Sequence, residues 1–305
     1  MPKAYVFTRY GGPEVEAFAE VERPVPGPGQ VLVAVRAAGV NPVDWKQREG
    51  HLAQIVPVEF PAVFGREVSG VVEQAGDGVA EFAAGDAVFG NTLAGGFAEY
   101  ALLPRELTAR KPDGLSFTDA ATLPVASATA YDGVRQLGLP AGATLLITGV
   151  GGGVGVAAAQ IARHTGVTVI GTAGAGKKDF VESLGVVHVE PGPGVADRIR
   201  AAAPDGVDAI YDLVGGAALE EAAEVLKDRS KLISAADGET VTRLGGSLVQ
   251  RTRDRAALEA VAGLAASGAL RPYVTRTFPL AQAPEALRAV EDGHARGKIV
   301  IEVDA

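Results

Sequence analysis

Apolar and polar positions change rhythm near residue 120, and the change divides the chain. Ahead of it, short apolar stretches alternate with turn residues. Gln30-Val31-Leu32-Val33-Ala34-Val35-Arg36-Ala37 reads as one strand, and residues 68–76 read as another that ends in the turn Gly76-Asp77-Gly78. Residues 87–90 and 96–101 add short strands at similar spacing, which predicts a small antiparallel barrel or sandwich. From about Asp119 the texture becomes alternating helix and strand: helices over 120–137, 177–184 and 217–226, strands over 145–148, 167–170, 207–211, 232–235 and 247–250. That alternation predicts a parallel sheet wrapped by helices, an α/β arrangement. The tail carries helices over 255–266 and 283–291 and a last strand over 298–303, expected to rejoin the first domain. The implied division is 1–121, 122–253 and a return segment 254–305.

Between the strand at 145–148 and the next helix lies Gly149-Val150-Gly151-Gly152-Gly153-Val154-Gly155. A turn without side chains lets backbone N–H groups approach a pyrophosphate, and the helix N-terminus that follows favours an anion. The usual G-x-G-x-x-G spacing places its first glycine at Val150, with Gly152 and Gly155 in the other two places. Context strengthens the motif, because a second buried strand follows at the distance of a strand-helix-strand unit. Tight packing with no ligand is the alternative. After that second strand the chain reads Gly171-Thr172-Ala173-Gly174-Ala175-Gly176-Lys177-Lys178, with no acid at the strand end to bind a ribose 2′-hydroxyl. A 2′-phosphate gains charge-assisted hydrogen bonds from the lysines, so NADPH is favoured over NADH and Lys177 is the chosen contact. Solvation of both lysines at a helix start is the competing reading, and Asp179 lies close enough to keep NADH in play.

Composition narrows the function classes. A net charge of −9 without a Lys/Arg cluster argues against nucleic acid or an anionic membrane surface as partner. No apolar run is long enough to span a bilayer, and Met1-Pro2-Lys3-Ala4-Tyr5-Val6 lacks the apolar core of a signal peptide, so a cytoplasmic location is expected. With no cysteine, disulfides and thiolate metal sites are excluded.

Taken in order, Ala37-Ala38-Gly39-Val40-Asn41-Pro42-Val43-Asp44, Pro61-Ala62-Val63-Phe64-Gly65-Arg66-Glu67-Val68-Ser69-Gly70-Val71-Val72, Gly85-Asp86-Ala87-Val88-Phe89-Gly90, the glycine turn, Tyr211-Asp212-Leu213-Val214-Gly215-Gly216 and Gly297-Lys298-Ile299-Val300 resemble the medium-chain dehydrogenase/reductase superfamily. Within it they resemble the zinc-independent quinone oxidoreductase branch that includes zeta-crystallin. The resemblance spans essentially the whole chain. It implies a GroES-like β-rich catalytic domain, a Rossmann domain with a doubly wound parallel sheet, a cleft between them and a homodimer, with the strand at 247–250 as the exposed pairing edge.

Zinc alcohol dehydrogenases of the superfamily carry Cys where this chain has Asn41 and His where it has Arg66. Of that local set only Glu67 remains, and His51, His164, His188 and His294 form no close pair with ligand spacing, so no metal is expected. Without a Lewis acid, reduction of an electron-poor acceptor is a better fit than alcohol oxidation. Hydride arriving at a quinone or an enone pushes charge onto a carbonyl oxygen, which needs donors. Asn41 and Asp44 match the polar pair of the quinone oxidoreductases. Lys46 stands where the bacterial quinone reductases often have tyrosine, in a Pro-Val-Asp-Trp-Lys pattern closer to plant-type enone and alkenal reductases. Against these roles stand Asp44 as a helix cap, Trp45 as core and Lys46 as a solvated side chain. Arg66 is expected either to point into the cleft or to pair with Glu67.

Cofactor contacts carry over onto Gly152, Gly153, Val154 and Gly155 at the pyrophosphate, Thr129 near the nicotinamide, Val214 and Gly215 beside its ribose, and Ser234 and Ala235 as flanking backbone. The expected function is hydride transfer from NADPH to a quinone or enone. An enoyl-thioester reductase and a non-catalytic NADPH-binding sensor or structural protein are the alternatives.

Overall fold

The computed structural model describes residues 1–92, 95–293 and 295–304. They form two compact units, one of residues 1–125, 253–266 and 272–305, the other of 126–252 and 267–271. In chain order the first unit contains β1 (Lys3–Phe7), β2 (Glu16–Glu20), β3 (Gln30–Val40), α1 (Pro42–Arg48), β4 (Ala62–Val63), β5 (Glu67–Ala75), β6 (Ala87–Asn91), β7 (Tyr100–Pro104), β8 (Thr108–Arg110) and α2 (Phe117–Ala120). The second contains α3 (Ala128–Leu137), β9 (Thr144–Thr148), α4 (Gly153–His164), β10 (Thr168–Thr172), α5 (Lys178–Ser183), β11 (Val187–Val189), α6 (Val195–Ala202), β12 (Ala209–Asp212), α7 (Gly216–Ala223), β13 (Leu232–Ser234), α8 (Gly238–Arg243) and β14 (Ser247–Leu248). The chain then adds α9 (Arg255–Ala266), β15 (Val274–Pro279), α10 (Ala283–Glu291) and β16 (Lys298–Glu302) to the first unit.

β3 is the spine of the first unit. Its near-continuous apolar run is buried, because it pairs with β5 along its length while β7 takes its first half and β16 its second. A seven-stranded sheet results, and a three-stranded sheet of β2, β1 and β4 accompanies it. The core between them gathers Tyr5, Phe7, Phe64, Phe82 and Phe97 with the valines of β3 and the apolar face of α10. Sequence patterning missed β1 and β2. Exposed positions on β2 break the alternation that marks a half-buried strand.

The second unit is a six-stranded parallel sheet in the order β11-β10-β9-β12-β13-β14, which is the 3-2-1-4-5-6 order of a dinucleotide fold. Its strand order reverses between β9 and β12, and ligands of such sheets bind there, at the carboxyl ends. The single helix expected over 120–137 is broken: α2 stops at Ala120 and a wide turn over Leu123–Ser127 precedes α3. Pro124 explains the break, since it has no N–H to donate and its ring crowds the preceding turn.

Candidate active site

The apolar run of β3 ends at Val40, and Asn41 caps α1 with Pro42 in the first helical position. The Asn41 N–H donates to Asp44 Oδ2 at 2.8 Å, and the Asp44 N–H donates to the Asn41 carbonyl at 3.0 Å. The Asn41 side chain turns away from the helix. Its Nδ2 donates to Glu67 Oε1 at 2.8 Å and to the Gly39 carbonyl at 3.3 Å. Its Oδ1 accepts from Lys298 Nζ at 2.6 Å. Lys298 also donates to Glu67 Oε1 at 2.8 Å and to the Val40 carbonyl at 2.9 Å, so all three ammonium protons are used. Glu67 Oε2 accepts the Val125 N–H at 2.7 Å. The cluster is closed to water, with Glu67 at 0% and Lys298 at 7% exposure. Gly39 makes room for it: a Cβ there would lie 2.1 Å from Glu67 Oε1.

Asp44, one helical turn along, is buried, and burial pushes its carboxyl up to about 7 against the opposing hydrogen bond from Asn41. Its Oδ1 has no hydrogen-bond partner among the described residues, and neither do Trp45 Nε1 and Gln47 Oε1 on the same helix. Asp44 and Gln47 share a narrow recess with Arg66, Gly65, Phe7, Val58, Val63 and Phe64. Arg66 is thus placed beside Asp44, and desolvation holds its guanidinium below the usual arginine range. Lys46 is half-buried, its ammonium 5.7 Å from the centre of the Trp45 ring.

In the second unit the residues chosen from sequence meet along the carboxyl edge of the sheet. Gly152 caps α4, and the first-turn N–H groups of Gly153, Val154 and Gly155 have no intrahelical acceptor. A Cβ on Gly151 would lie 2.8 Å from Lys177 Cδ, so the lysine stem lies across the turn. A Cβ on Gly149 would lie 3.0 Å from Val214 Cγ2, which joins the loop after β9 to the loop after β12. Val150 fits in place of the usual glycine because β10 carries a compensating one. A Cβ on Gly171 would meet Val150 Cγ1 at 2.4 Å.

Asp212, fully buried at the end of β12, ties these loops together. Its Oδ1 accepts from Thr148 Oγ1 at 2.6 Å and from the Val214 and Gly215 N–H groups at 3.1 and 3.0 Å. Its Oδ2 accepts from Ser234 Oγ at 2.6 Å, and Ser234 Oγ accepts the Ala236 and Asp237 N–H groups at 3.0 Å. The Ala235 N–H donates to the Asp212 carbonyl at 2.9 Å. Thr129 sits on α3, where its carbonyl accepts the Tyr211 hydroxyl at 2.8 Å and its hydroxyl pairs with Arg251. Arg251 in turn holds Asp132 at 2.9 Å.

The donor set does not suit zinc. A carboxamide with every polar atom engaged stands at Asn41, a cation stands at Arg66, and Glu67 already carries the Lys298 ammonium at 2.8 Å. Among the described residues no three His, Asp or Glu side chains group as a metal site. His188 Nε2 lies 2.6 Å from the Ala173 carbonyl, His51 and His164 are exposed, and His294 is outside the described residues. No helix among the described residues is long and apolar enough to cross a membrane.

Comparison with known proteins finds matches in both units. A family model described as an alcohol dehydrogenase GroES-like domain matches residues 27–113, and one described as a zinc-binding dehydrogenase matches 184–301. The chain is 31% identical to a chloroplast envelope quinone oxidoreductase homolog of Arabidopsis thaliana over 98% of both chains. It is 32% identical to a 2-methylene-furan-3-one reductase of Solanum lycopersicum, over 98% of this chain and 78% of that protein. The chain belongs to the medium-chain dehydrogenase/reductase superfamily, in its quinone and enone oxidoreductase branch. The solved quinone oxidoreductase of Coxiella burnetii superposes with a TM-score of 0.91 at 30% identity over 99% of each chain. A mycobacterial protein solved with NADPH superposes with 0.87 at 28% identity over 99% of this chain and all of the other.

The geometry also brings forward contacts that sequence reading passed over. Lys298 and Asp212 entered the sequence analysis within segments that carry the resemblance, with no role of their own. A charge inside a buried strand needs a partner, and that was the available signal for both. Gln47 and Arg251 gave none.

Proposed function

We infer that this chain is an oxidoreductase that moves a hydride from NADPH to a quinone or to the β-carbon of an α,β-unsaturated carbonyl. The observation that carries this reading is the carboxyl edge of the parallel sheet, where a glycine-rich turn, open N–H groups and a lysine stem lie together at the strand-order reversal. The cradle fits a dinucleotide: a Cβ on Gly155 would lie 2.6 Å from Val150 Cα, so only glycine allows the turn to close at that point. When bound, the nicotinamide supplies the hydride.

Gly152, Gly153, Val154 and Gly155 present N–H groups to the pyrophosphate, and Lys177 reaches past Gly151 to the 2′-phosphate, which favours NADPH over NADH. Val214, Gly215, Ser234 and Ala235, tied by Asp212, border the nicotinamide ribose, with Thr129 near the ring. On the substrate side Lys46 supplies a positive donor to the developing oxyanion. Asn41 acts as a positioning residue, since its side chain fastens the helix that carries Asp44 and Lys46 to Glu67 and Lys298. The reaction runs without a metal, a reading supported by Asn41 and Arg66 at the ligand positions and by the ammonium of Lys298 on Glu67.

The protein is further proposed to form a homodimer through β14, whose two residues are exposed at the sheet edge. Its location is proposed to be cytoplasmic. Incubation with NADPH and either 1,4-benzoquinone or an alkenal tests the function: consumption of NADPH with formation of hydroquinone or saturated carbonyl is expected. Binding of NADPH without turnover of either acceptor would make the chain a sensor, and turnover confined to enoyl thioesters would move it to the carrier-linked reductases.

A further inference from the structure

Hydride addition to an enone leaves the product one proton short, and the structure holds one buried acid suited to supply it. Two buried acceptors, Asp44 Oδ1 and Gln47 Oε1, lack any donor among the described residues, and both residues line one recess. Gln47 cannot turn to cure this, because its Nε2 is committed to the Val56 carbonyl at 2.9 Å. Asp44 cannot turn either while its Oδ2 accepts from the Asn41 N–H. Buried acceptors without donors are costly, and a single proton on Asp44 together with one water satisfies both. The recess has a volume of about 10 Å³, about that of one water-sized sphere.

We propose that Asp44 is the proton donor of enone reduction, its carboxylic acid passing a proton to the substrate through one water held against Gln47. This rests on the functional reading above. As hydride adds to the β-carbon, the C=C pair shifts to form an enolate. The relay water gives its proton to the α-carbon and takes the Asp44 proton. The saturated carbonyl leaves, Asp44 remains as carboxylate, and solvent restores its proton before the next turnover.

The surroundings suit an acid that is neutral near physiological pH. Phe7, Val58, Val63 and Phe64 make the walls apolar, and burial is the dominant influence that raises the carboxyl to about 7. Lys298 from β16 and Arg66 from the segment before β5 favour the carboxylate, while Glu67 on β5 opposes it. A proton is therefore available at pH 7 and is scarce a unit or two above it.

Asp44→Asn separates this role from a structural one, because its amide oxygen can still accept the Asn41 N–H. With saturating NADPH the unaltered protein is expected to lose enone turnover as pH rises through about 7. It should also place solvent deuterium on one face of the α-carbon. In the variant the ratio of enone to quinone turnover should fall about a hundredfold, the pH limb should disappear and deuterium should enter both faces. Carboxyl NMR of aspartate-labelled protein without substrate should show one group titrating near neutrality, absent from the variant. That measurement stands even if the variant is unstable. A variant that keeps its enone turnover, pH limb and single-face deuteration would overturn the proposal, as would the absence of a near-neutral carboxyl in the unaltered protein. If the unaltered protein reduces quinone but no enone, this proposal fails alone; if it reduces neither, the functional reading fails and this proposal with it.

Discussion

Lys177 and Asp44 show how differently a charge behaves when its surroundings differ. Lys177 lies over the glycine turn with only part of its stem covered, and the contribution proposed for it is a contact with one phosphate. Lys177→Ala should weaken NADPH by about 1.5–3 kcal/mol and leave NADH nearly unaffected, measured by titration of each cofactor. Asp44 is fully desolvated. The folded chain keeps its proton up to about 7, whereas an unfolded aspartate releases it near 4. Between those values the folded state binds more protons, so this group's contribution to stability is lost as pH rises through the window. Asp44→Asn should therefore gain stability relative to the unaltered protein as pH rises, and the gain should level off above about pH 7. Denaturant titration below and above the window checks this. Lys46 is the remaining test at this scale: Lys46→Met should lower enone turnover more than quinone turnover, with little change in NADPH affinity. Equal loss with both acceptors would remove its role as donor to the oxyanion.

At the scale of elements, α1 owes its position to both ends. Its start is fixed by Asn41, Glu67 and Lys298. Its end is fixed by Arg48, which is fully buried and bonded to Glu16 at 2.6 Å, Glu291 at 2.8 Å and the Gly11 carbonyl at 3.1 Å. Glu16 is shared with the Tyr5 hydroxyl, and burial with that neighbour raises the tyrosine well above its ordinary range. Arg48→Met removes the partner of three carboxylates, Glu16, Glu49 and Glu291, and should cost about 3–5 kcal/mol, measured by denaturant unfolding. The glycine turn depends on its neighbour strand in a similar way. Gly171→Ala forces Val150 out of its place and should cost about 1–3 kcal/mol along with NADPH affinity, and adding Val150→Gly should restore both. Sequence patterning located most of these elements, because α4, α9, α10 and β16 carry strong periodicity or uninterrupted apolar runs. It did not reach the Val150–Gly171 exchange. That compensation joins residues on two strands through space, and a motif read along the chain sees only its missing glycine.

For the molecule as a whole, the fold was legible from order: strand-rich segments, a glycine turn at the head of an alternating region, and a tail that returns to its first unit. In the candidate site, sequence named residues more readily than their contacts. Asn41 stood out as a donor, yet its amide is spent on Lys298 and Glu67, and nothing local in the sequence announces a lysine 257 positions away. Assembly is likewise only partly legible. β14 lies at the sheet edge as its pattern suggests, but Gln136 Nε2 donates to the Leu248 carbonyl at 3.1 Å and Gln136 Oε1 accepts the Gln250 N–H at 2.8 Å. A homodimer paired through this edge must displace Gln136, so Gln136→Ala should tighten association measured by light scattering. A monomer mass at micromolar concentration for both proteins would reject the pairing. The measurement that bears most directly on the central claim is the stoichiometry of NADPH oxidation with a quinone and with an enone. One NADPH consumed per hydroquinone or saturated carbonyl formed is the result expected from this site. Saturable NADPH binding with no reduced product from either acceptor would contradict it.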